Sequence, residues 1–289
     1  MKKINKIINF GGYHSTGGSV IRDIFLENKK YIHTFPCEFR LLNERYGLFD
    51  LQNTIFSNAG PENIDLAIKD FLWLTKNLAR NNNNKFTKKG LGYNGYTNEK
   101  FLKLTKYFIN SITDYVYPMN WHFYNFKRNY LTSQFQRYAS KFIDKNIFDE
   151  SAFMAYPEFN DYLKKSKLLI KNILLESYYK EKSAASIIAV HNSFNPFYLE
   201  SLKNTSLYFD NFSTIIVDRD PRDVFLDFPN QRYLPKGVSP LEKAKIFIKF
   251  FKDLRKERSI FISNKNVLFL QFEDLVFNTS NELNKINNF

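Results

Sequence analysis

Residues 6–25 read KIINFGGYHSTGGSVIRDIF, and the rest of the chain is best interpreted outward from this stretch. An apolar run ends at two glycines, a loop of small residues follows, and apolar residues return at helical spacing from Val20 to Phe25. The pattern predicts a strand, a glycine-rich loop and a helix. Backbone N–H groups of such a loop lie at a helix N-terminus, where they can bind an anion. A glycine-rich turn that binds nothing fits the same pattern.

Residues 12–19 of this loop also fit the phosphate-loop pattern G-x4-G-K-[ST] at every fixed position except one. Gly18 stands where that pattern has lysine, the side chain that reaches the β- and γ-phosphates of a nucleoside triphosphate. The loop is therefore one residue short of a nucleoside-triphosphate site.

Composition limits the classes of partner. The chain has 289 residues, enough for one large domain or two small ones with a substantial core. Its net charge of +13 predicts an anionic partner, namely nucleic acid, a membrane surface or a polyphosphorylated small molecule. Because no long block of Lys or Arg occurs, we expect a small anion and no nucleic acid. The oligomeric state is left open.

Cysteine content and hydropathy exclude further classes. The one cysteine, Cys37, excludes an internal disulfide framework and a multi-cysteine zinc site, and we predict no metal site. No apolar run approaches the length of a membrane span, and no leader-peptide pattern follows Met1. We therefore expect a cytoplasmic protein without an integral membrane segment.

Short apolar runs alternate with helical patterns at both ends of the chain. After the first strand, further strands are predicted at Tyr31–Pro36, Ser183–Val190, Thr214–Val217 and Val267–Leu270. Helices are predicted from Lys164 to Tyr179, from about Asn195, from the capping box at residues 239–242 to about Ile262, and from a cap at residues 279–282 to the last residue.

The alternation predicts an α/β fold, a parallel β-sheet flanked by helices on both faces. We expect one domain over residues 1–289. Residues 61–182 are mostly helical in pattern and are predicted to form a large helical insertion that shapes a pocket for a second substrate.

Polar residues follow three of the predicted strands. They are the glycine loop after the first strand, His191 after a middle strand, and residues 219–223 after the next strand. Ligands of open α/β sheets bind beyond the carboxyl ends of the strands. These three clusters are therefore the candidate site.

The order and spacing of these clusters resemble the sulfotransferases that use 3′-phosphoadenosine 5′-phosphosulfate (PAPS). Residues 15–19, STGGS, align with the family's loop [RK]-S-G-T-[ST], which has no lysine at the position of Gly18, and Gly17 takes the glycine position. Residues 219–224, RDPRDV, match its second signature R-[DN]-P-[RK]-D-V. Val190-His191 ahead of Pro196 is similar to a strand ending in T-H, and residues 272–279 look like Y-E-D-L…N-T. The resemblance covers both ends of the chain and not its helical middle.

This resemblance implies a fold of the P-loop nucleoside-triphosphate-hydrolase type. It also implies transfer of a sulfuryl group from PAPS to a hydroxyl of a saccharide or another small acceptor. His191 would be the catalytic base, Glu38 is the reserve candidate, and His14 could supply positive charge to the loop. The residues implied in cofactor binding are Ser15, Thr16, Gly17, Gly18, Ser19, Arg219 and Asp227.

PAPS carries two separate anionic groups, so two anion sites are needed. Amides of residues 16–19, with the Thr16 and Ser19 hydroxyls, could bind the phosphosulfate. Arg219 could bind the 3′-phosphate with a two-pronged contact, or it could form an ion pair with Asp220 or Asp223. Glu38 and Arg40 could likewise face a cleft or form a surface ion pair.

At three aligned positions the chain loses or gains a charge relative to the family. Ser15 and Ala189 stand where lysine or arginine and lysine are usual, and Asp227 stands where serine is usual. The carboxylate of Asp227 would repel a 3′-phosphate unless it turned away. Two other hypotheses stay open: a non-catalytic nucleotide-binding protein of the same fold, and a kinase or hydrolase, which would need a loop lysine and carboxylates for Mg²⁺.

Overall fold

A sheet of five parallel strands forms the centre of the computed structural model, which describes residues 4–81, 90–119, 121, 138, 150–227 and 234–289. The strands of this sheet are β1 (Lys6–Gly12), β2 (Ile32–Glu38), β5 (Ile187–His191), β6 (Phe212–Asp218) and β7 (Val267–Gln271). Their order is β2-β5-β1-β6-β7. A two-stranded antiparallel sheet consists of β3 (Tyr115–Met119) and β4 (Glu150–Met154).

Helices cover both faces of the five-stranded sheet. They are α1 (Ser19–Glu27), α2 (Leu48–Ser57), α3 (Pro61–Ala79), α4 (Tyr93–Tyr96), α5 (Phe101–Ile112), α6 (Phe159–Lys180), α7 (Leu199–Leu207), α8 (Pro221–Asp227), α9 (Pro240–Asp253), α10 (Arg258–Ile262), α11 (Phe272–Phe277) and α12 (Thr279–Asn288). Of the helices in the described ranges, none has both the length and the apolar character needed to cross a bilayer.

Burial on both faces explains the continuous apolar runs of the strands. In β5, Ile188 and Val190 belong to the core cluster that includes α3, α5 and α6, whereas Ala189 belongs to the cluster on the other face. That second cluster includes Phe10 of β1 and Phe25 of α1. Strands buried on both faces are typical of parallel sheets, and the predicted α/β architecture is confirmed.

The strand order places β1, the first strand in the chain, at the centre of the sheet. The chain leaves β1 toward β2 on one side, and it leaves β6 toward β7 on the other. Where neighbouring strands send the chain in opposite directions, a crevice opens at their carboxyl ends. The glycine loop and Arg219 follow these two strands and flank this crevice.

The segment predicted as a helical insertion contains α3 to α6, but it also contains the β3–β4 sheet. Its residues 82–89, 120, 122–137 and 139–149 lie outside the described residues. Asp65 of α3, fully buried, connects the parts of this segment. Its carboxylate accepts hydrogen bonds from the Trp121 indole at 2.8 Å and from the Phe153 amide at 3.0 Å.

Several predicted boundaries are wrong for identifiable reasons. Strand β2 continues through Pro36, because it is an edge strand whose register with β5 shifts between Thr34 and Glu38. The helix predicted from Asn195 begins only at Leu199, because the Asn195 side chain accepts the Phe197 N–H at 3.0 Å and forms a turn.

Two predicted helices near the end of the chain also differ. The Ser239 hydroxyl does accept the Glu242 N–H at 3.2 Å, as the capping box predicts. That helix ends at Asp253 instead of Ile262, and a turn at residues 254–257 separates α9 from α10. Thr279 does not cap α12, because its hydroxyl donates backward to the Leu275 carbonyl at 2.8 Å.

Candidate functional site

The structure brings the three sequence-predicted clusters to one edge of the sheet, where they line two neighbouring cavities. The loop cleft, a cavity of about 480 Å³, is lined by residues 12–19, Glu38, Arg40, His191 and Asn192, among others. The arginine cavity, about 410 Å³, is lined by residues 218–221, Arg255, Arg258 and Glu273, among others. Arg219 therefore lines a different cavity from His191.

The backbone of the glycine loop leaves amide groups available at the start of α1. Ser15 and Gly17 both have positive φ, 60° and 82°, which orients successive peptides differently from a helix. The Thr16 N–H donates to the Tyr13 carbonyl at 3.3 Å, which closes the turn. Within the described chain, the N–H groups of Gly17 and Gly18 reach no acceptor. These two amides, at a helix N-terminus, can bind an anion.

Thr16 has a structural role that the sequence-based assignment missed. Its side chain is buried, and its hydroxyl lies 2.7 Å from both the Tyr13 carbonyl and the Val217 carbonyl of β6. A methyl group on Gly12 would come within 2.3 Å of this hydroxyl. The Thr16 hydroxyl thus joins the loop to β6 and cannot bind a phosphosulfate as expected. The Ser19 side chain is exposed at the first turn of α1.

Gly18 explains why the loop has no lysine. A Cβ atom at this position would lie 2.9 Å from the carbonyl carbon of Gly11 and 3.2 Å from the Gly12 nitrogen. Both contacts are with the backbone of β1, which cannot rotate away as a side chain could. Any side chain at this position, lysine included, would require the loop or the strand to move.

His191 lies at the end of β5, directly beside β1. Its ring stacks on the Phe10 ring at 4.9 Å, nearly parallel, with an interplanar angle of 9°. The turn that follows is positioned by Asn9 of β1, whose buried side-chain oxygen accepts the Ser193 N–H at 3.0 Å and the Ser193 hydroxyl at 2.8 Å. The sequence analysis did not identify Asn9, since a polar residue inside an apolar run carries no motif.

The sequence left open whether Glu38 and Arg40 face a cleft or form an ion pair. In the structure they do both. The Arg40 guanidinium reaches Glu38 Oε2 at 2.5 Å and Glu44 at 2.8 Å. Glu38 Oε1 accepts a hydrogen bond from the Asn192 side chain at 3.0 Å. Asn192, with φ of 55°, was also missed by the sequence analysis.

The ionisation states in the loop cleft favour His191 over Glu38 as a proton acceptor. Burial lowers the pKa of His191, and the nearby Arg22 and Arg40 charges lower it further, against the opposing effect of Glu38. Burial alone would raise the pKa of Glu38, but the charge and hydrogen bonds of Arg40 bring it below the usual value. At neutral pH His191 is therefore an unprotonated imidazole, whereas Glu38 is a carboxylate already engaged by its neighbours.

His14 does not supply the positive charge expected of it. Burial, and to a lesser degree the Arg255 charge, lowers the pKa of His14, so the ring is neutral at neutral pH. The ring packs beside Phe197 at 5.3 Å and Phe250 at 6.0 Å between centroids. The residue as a whole is exposed, and the aromatic rings do not themselves oppose a positive charge, so partial burial and Arg255 are the causes of the lowered pKa.

Arg219 forms an ion pair in this structure, and its main partner is one the sequence analysis did not name for that role. Its guanidinium contacts Asp227 at 2.6 Å and lies 3.9 Å from Asp223. The Asp227 carboxylate is thus turned toward Arg219 and occupies the guanidinium that the resemblance assigns to the 3′-phosphate. Arg222 contacts Asp220 at 2.7 Å.

Phe272, the first residue of α11, connects the loop to Arg219. The Arg219 guanidinium lies over the Phe272 ring at 4.9 Å. On the loop side, a methyl group on Gly17 would come within 2.4 Å of the same ring. The Phe272 ring therefore lies against both the backbone of the glycine loop and the side chain of Arg219.

A buried ionic cluster below the arginine cavity was also missed. Asp218, the last residue of β6, pairs with Arg255 at 2.7 Å and with Arg258 at 3.0 Å. Its carboxylate also accepts the Arg219 N–H at 2.9 Å. Arg255 lies over the ring of Tyr13 at 4.3 Å. Through Tyr13 and Arg219, this cluster contacts both the loop after β1 and the turn after β6. Tyr13 and Asp218 are far apart in the sequence, and they come together because β1 and β6 are neighbours in the sheet.

Comparisons with protein-family models, with curated proteins and with solved structures found no match to this chain.

Proposed function

We propose that this protein is a sulfotransferase that uses PAPS and modifies a hydroxyl of a saccharide or another small acceptor. The proposal rests on two candidate anion sites that lie at the same edge of the sheet. Two unengaged amides at the start of α1 follow β1, and a stacked arginine follows β6. PAPS presents two anionic groups at two places, and the chain has one candidate anion site for each. The motifs of the sulfotransferase family, and its P-loop type of fold, fit the same residues.

The fit to PAPS has one favourable and one unfavourable feature. Gly18 leaves no space for the lysine that a triphosphate site requires, and the sulfotransferase pattern [RK]-S-G-T-[ST] has no lysine at this position either. This favours PAPS over ATP and weakens the kinase hypothesis. Asp227 opposes binding, because its carboxylate must leave Arg219 before a 3′-phosphate can pair there.

In the proposed reaction, bound PAPS supplies the sulfuryl group. Amides of Gly17 and Gly18 hold its 5′-phosphosulfate, with the Ser15 and Ser19 hydroxyls nearby, and Arg219 holds the 3′-phosphate. His191 accepts the proton of the acceptor hydroxyl as the new oxygen–sulfur bond forms and the bond from sulfur to the bridging phosphate oxygen breaks. Transfer of this type resembles phosphoryl transfer, in which positioning and charge stabilisation dominate.

A non-catalytic nucleotide-binding protein is the second candidate, and two observations favour it. His14 is neutral and Ser15 carries no charge, so the described loop offers no cation beside the leaving group. This hypothesis predicts binding without transfer.

The binding test uses 3′-phosphoadenosine 5′-phosphate, the product nucleotide, in a thermal-shift measurement. We expect a rise in Tm with this ligand and a smaller rise with Mg²⁺–ATP. Arg219→Ala should abolish the shift, whereas Arg222→Ala should keep it, because the exposed Arg222 side chain lines neither cavity. If neither nucleotide shifts the Tm of the folded protein, the proposal is wrong.

The transfer test separates the enzyme from the binding protein. Incubation with ³⁵S-labelled PAPS and a panel of saccharides should label an acceptor. His191→Gln should lose this activity and keep the thermal shift. Nucleotide binding without transfer to any acceptor would favour the non-catalytic hypothesis.

A further inference from the structure

A groove lies at the opposite end of the sheet from the candidate site. Its volume is about 960 Å³. Its walls are α6, the amino-terminal end of β1 and the segment 206–211 that leads into β6. Cavities of this size bind small organic ligands in many proteins. The groove uses none of the residues assigned to the proposed sulfotransferase site.

The floor of the groove is apolar. Leu163, Ile170 and Leu174 of α6 face Ile7 of β1 and Phe209 across it. Ile170, Leu174 and Phe209 are almost completely buried and belong to the main core, so the groove reaches down to that core. The partly buried Ile7 and Leu163 beside them add accessible apolar surface to the floor. Leu168, 48% exposed, extends the apolar surface to the rim. Apolar surface of this extent gains free energy when an aliphatic chain covers it.

The rim of the groove is basic. Lys164, Lys167 and Lys171 follow one another along one face of α6, over a length of about 10 Å at 1.5 Å per residue. Lys167 is neutralised by Asp210 at 2.8 Å across the groove. Lys164 and Lys171 are exposed and have no hydrogen-bond or ion-pair partner in the described part of the chain. They offer two uncompensated charges directly above the apolar floor.

We propose that this groove binds a single-chain anionic amphiphile, an aliphatic chain with a carboxylate or phosphate headgroup. The chain would lie on the floor formed by Leu163, Ile170 and Leu174, and the headgroup would pair with Lys164 and Lys171. The occupant is a free molecule and not a lipid within a bilayer, because the floor is recessed below the lysine row.

Calorimetric titration with alkyl phosphates, below the concentration at which they aggregate, tests this proposal. From octyl to dodecyl phosphate, affinity should rise about threefold for each added methylene, since each is buried on the floor. Inorganic phosphate and the non-ionic dodecyl maltoside should bind at least tenfold more weakly than dodecyl phosphate. Affinity that does not depend on chain length would overturn the proposal.

Charge reversal locates the ligand. Lys164→Glu combined with Lys171→Glu should weaken dodecyl phosphate binding about tenfold or more. The matched control, Lys245→Glu with Lys249→Glu, makes the same change of charge on the exposed face of α9 and should leave the affinity within twofold. Equal losses in both variants would contradict the proposed site.

Two further measurements keep the test decisive. If the double variant does not fold, Leu168→Asp, at an exposed position of the rim, should produce the same loss. Binding to vesicles that contain anionic lipid, without binding of monomeric dodecyl phosphate, would assign this surface to membranes and overturn the proposal. None of these outcomes depends on nucleotide binding, so they separate this inference from the proposed sulfotransferase activity.

Discussion

Gly18 lies where the glycine loop leaves no room for a side chain. The space that a lysine side chain would need is occupied by the backbone of Gly11 and Gly12. In the sequence, this position looks like the one missing residue of a triphosphate loop. In the structure, the loop lies so close to β1 that only glycine, which has no side chain, fits at this position.

Substitution of Gly18 tests this steric account. Gly18→Ala should lower the free energy of unfolding by about 1–3 kcal/mol, because the added methyl group overpacks against backbone. Gly18→Lys should be at least as destabilising and should not create Mg²⁺–ATP binding. Urea unfolding and calorimetry measure the two effects. Gly60→Ala is the control, since its methyl group meets only Asn63, at 3.6 Å, and should cost about 1 kcal/mol or less. Equal losses at the two glycines would contradict the account.

The Asp227 carboxylate would compete with the proposed 3′-phosphate for the Arg219 guanidinium. Asp227→Asn removes the carboxylate that lies 2.6 Å from the guanidinium and keeps the side chain's size. Because Asp227 is half exposed, the pair contributes only about 1 kcal/mol, so affinity for 3′-phosphoadenosine 5′-phosphate should rise about fivefold. Calorimetric titration measures the change. Asp223→Asn, at 3.9 Å from the same arginine, should have a smaller effect. A fall in affinity on Asp227→Asn would show that Asp227 positions Arg219 instead of blocking it.

At the level of secondary-structure elements, Asp218 joins β6 to α9 and α10. The turn between these helices, which the sequence analysis did not predict, places Arg255 and Arg258 on the same carboxylate. A helix continuous from Ser239 to Ile262 fits the local pattern equally well. The break between α9 and α10 goes with the ion pairs to Asp218, a residue almost forty positions earlier. The local sequence around the break therefore does not predict it.

Removal of the Asp218 carboxylate should therefore be costly. Asp218→Ala leaves the buried Arg255 without its partner, and we expect a loss of about 3–5 kcal/mol in the free energy of unfolding. Thermal and urea unfolding measure it. Asp220→Ala, which removes an exposed pair with Arg222, should cost much less. A loss at Asp218 no larger than that at Asp220 would mean that the cluster contributes little to stability.

At the scale of the whole molecule, local patterns predicted the elements but not their arrangement. The strands, the covered faces and the three polar clusters at strand ends follow from periodicity, because parallel strands buried on both faces are apolar throughout. The position of β1 between β5 and β6 joins residues about 180–200 positions apart, such as Phe10 and His191. The β3–β4 sheet was missed because Pro118 is atypical of a strand and the two strands are distant in sequence.

Burial of one histidine in the folded protein also makes its stability depend on pH. His33 of β2 is buried against α6, with Nε2 at 3.2 Å from the Ser177 hydroxyl, and burial lowers its pKa to about 4. The unfolded chain, with a histidine pKa of about 6.5, binds more protons than the folded one between these values. Stability contributed by neutral His33 is therefore present above about pH 6.5 and is lost as the pH falls toward 4.

This linkage can be measured by urea unfolding at pH 7 and pH 5. His33 should account for a fall of about 2 kcal/mol in the free energy of unfolding over this interval. His33→Gln, which can still pair with Ser177 but does not titrate, should show a correspondingly smaller fall. If both proteins lost stability in parallel, His33 would not be the responsible group.

The Phe272 ring lies beside both Gly17 and Arg219, so it would link the binding of the two ends of a ligand. A change at one half that shifts this ring must alter the environment of the other. If the proposed nucleotide binds, this one side chain would couple its phosphosulfate end energetically to its 3′-phosphate end. In a double-mutant cycle, effects at Gly17 and Arg219 should be non-additive with phenylalanine at position 272 and additive after Phe272→Ala. The protein would then recognise one doubly anionic nucleotide more strongly than the sum of two separate anions.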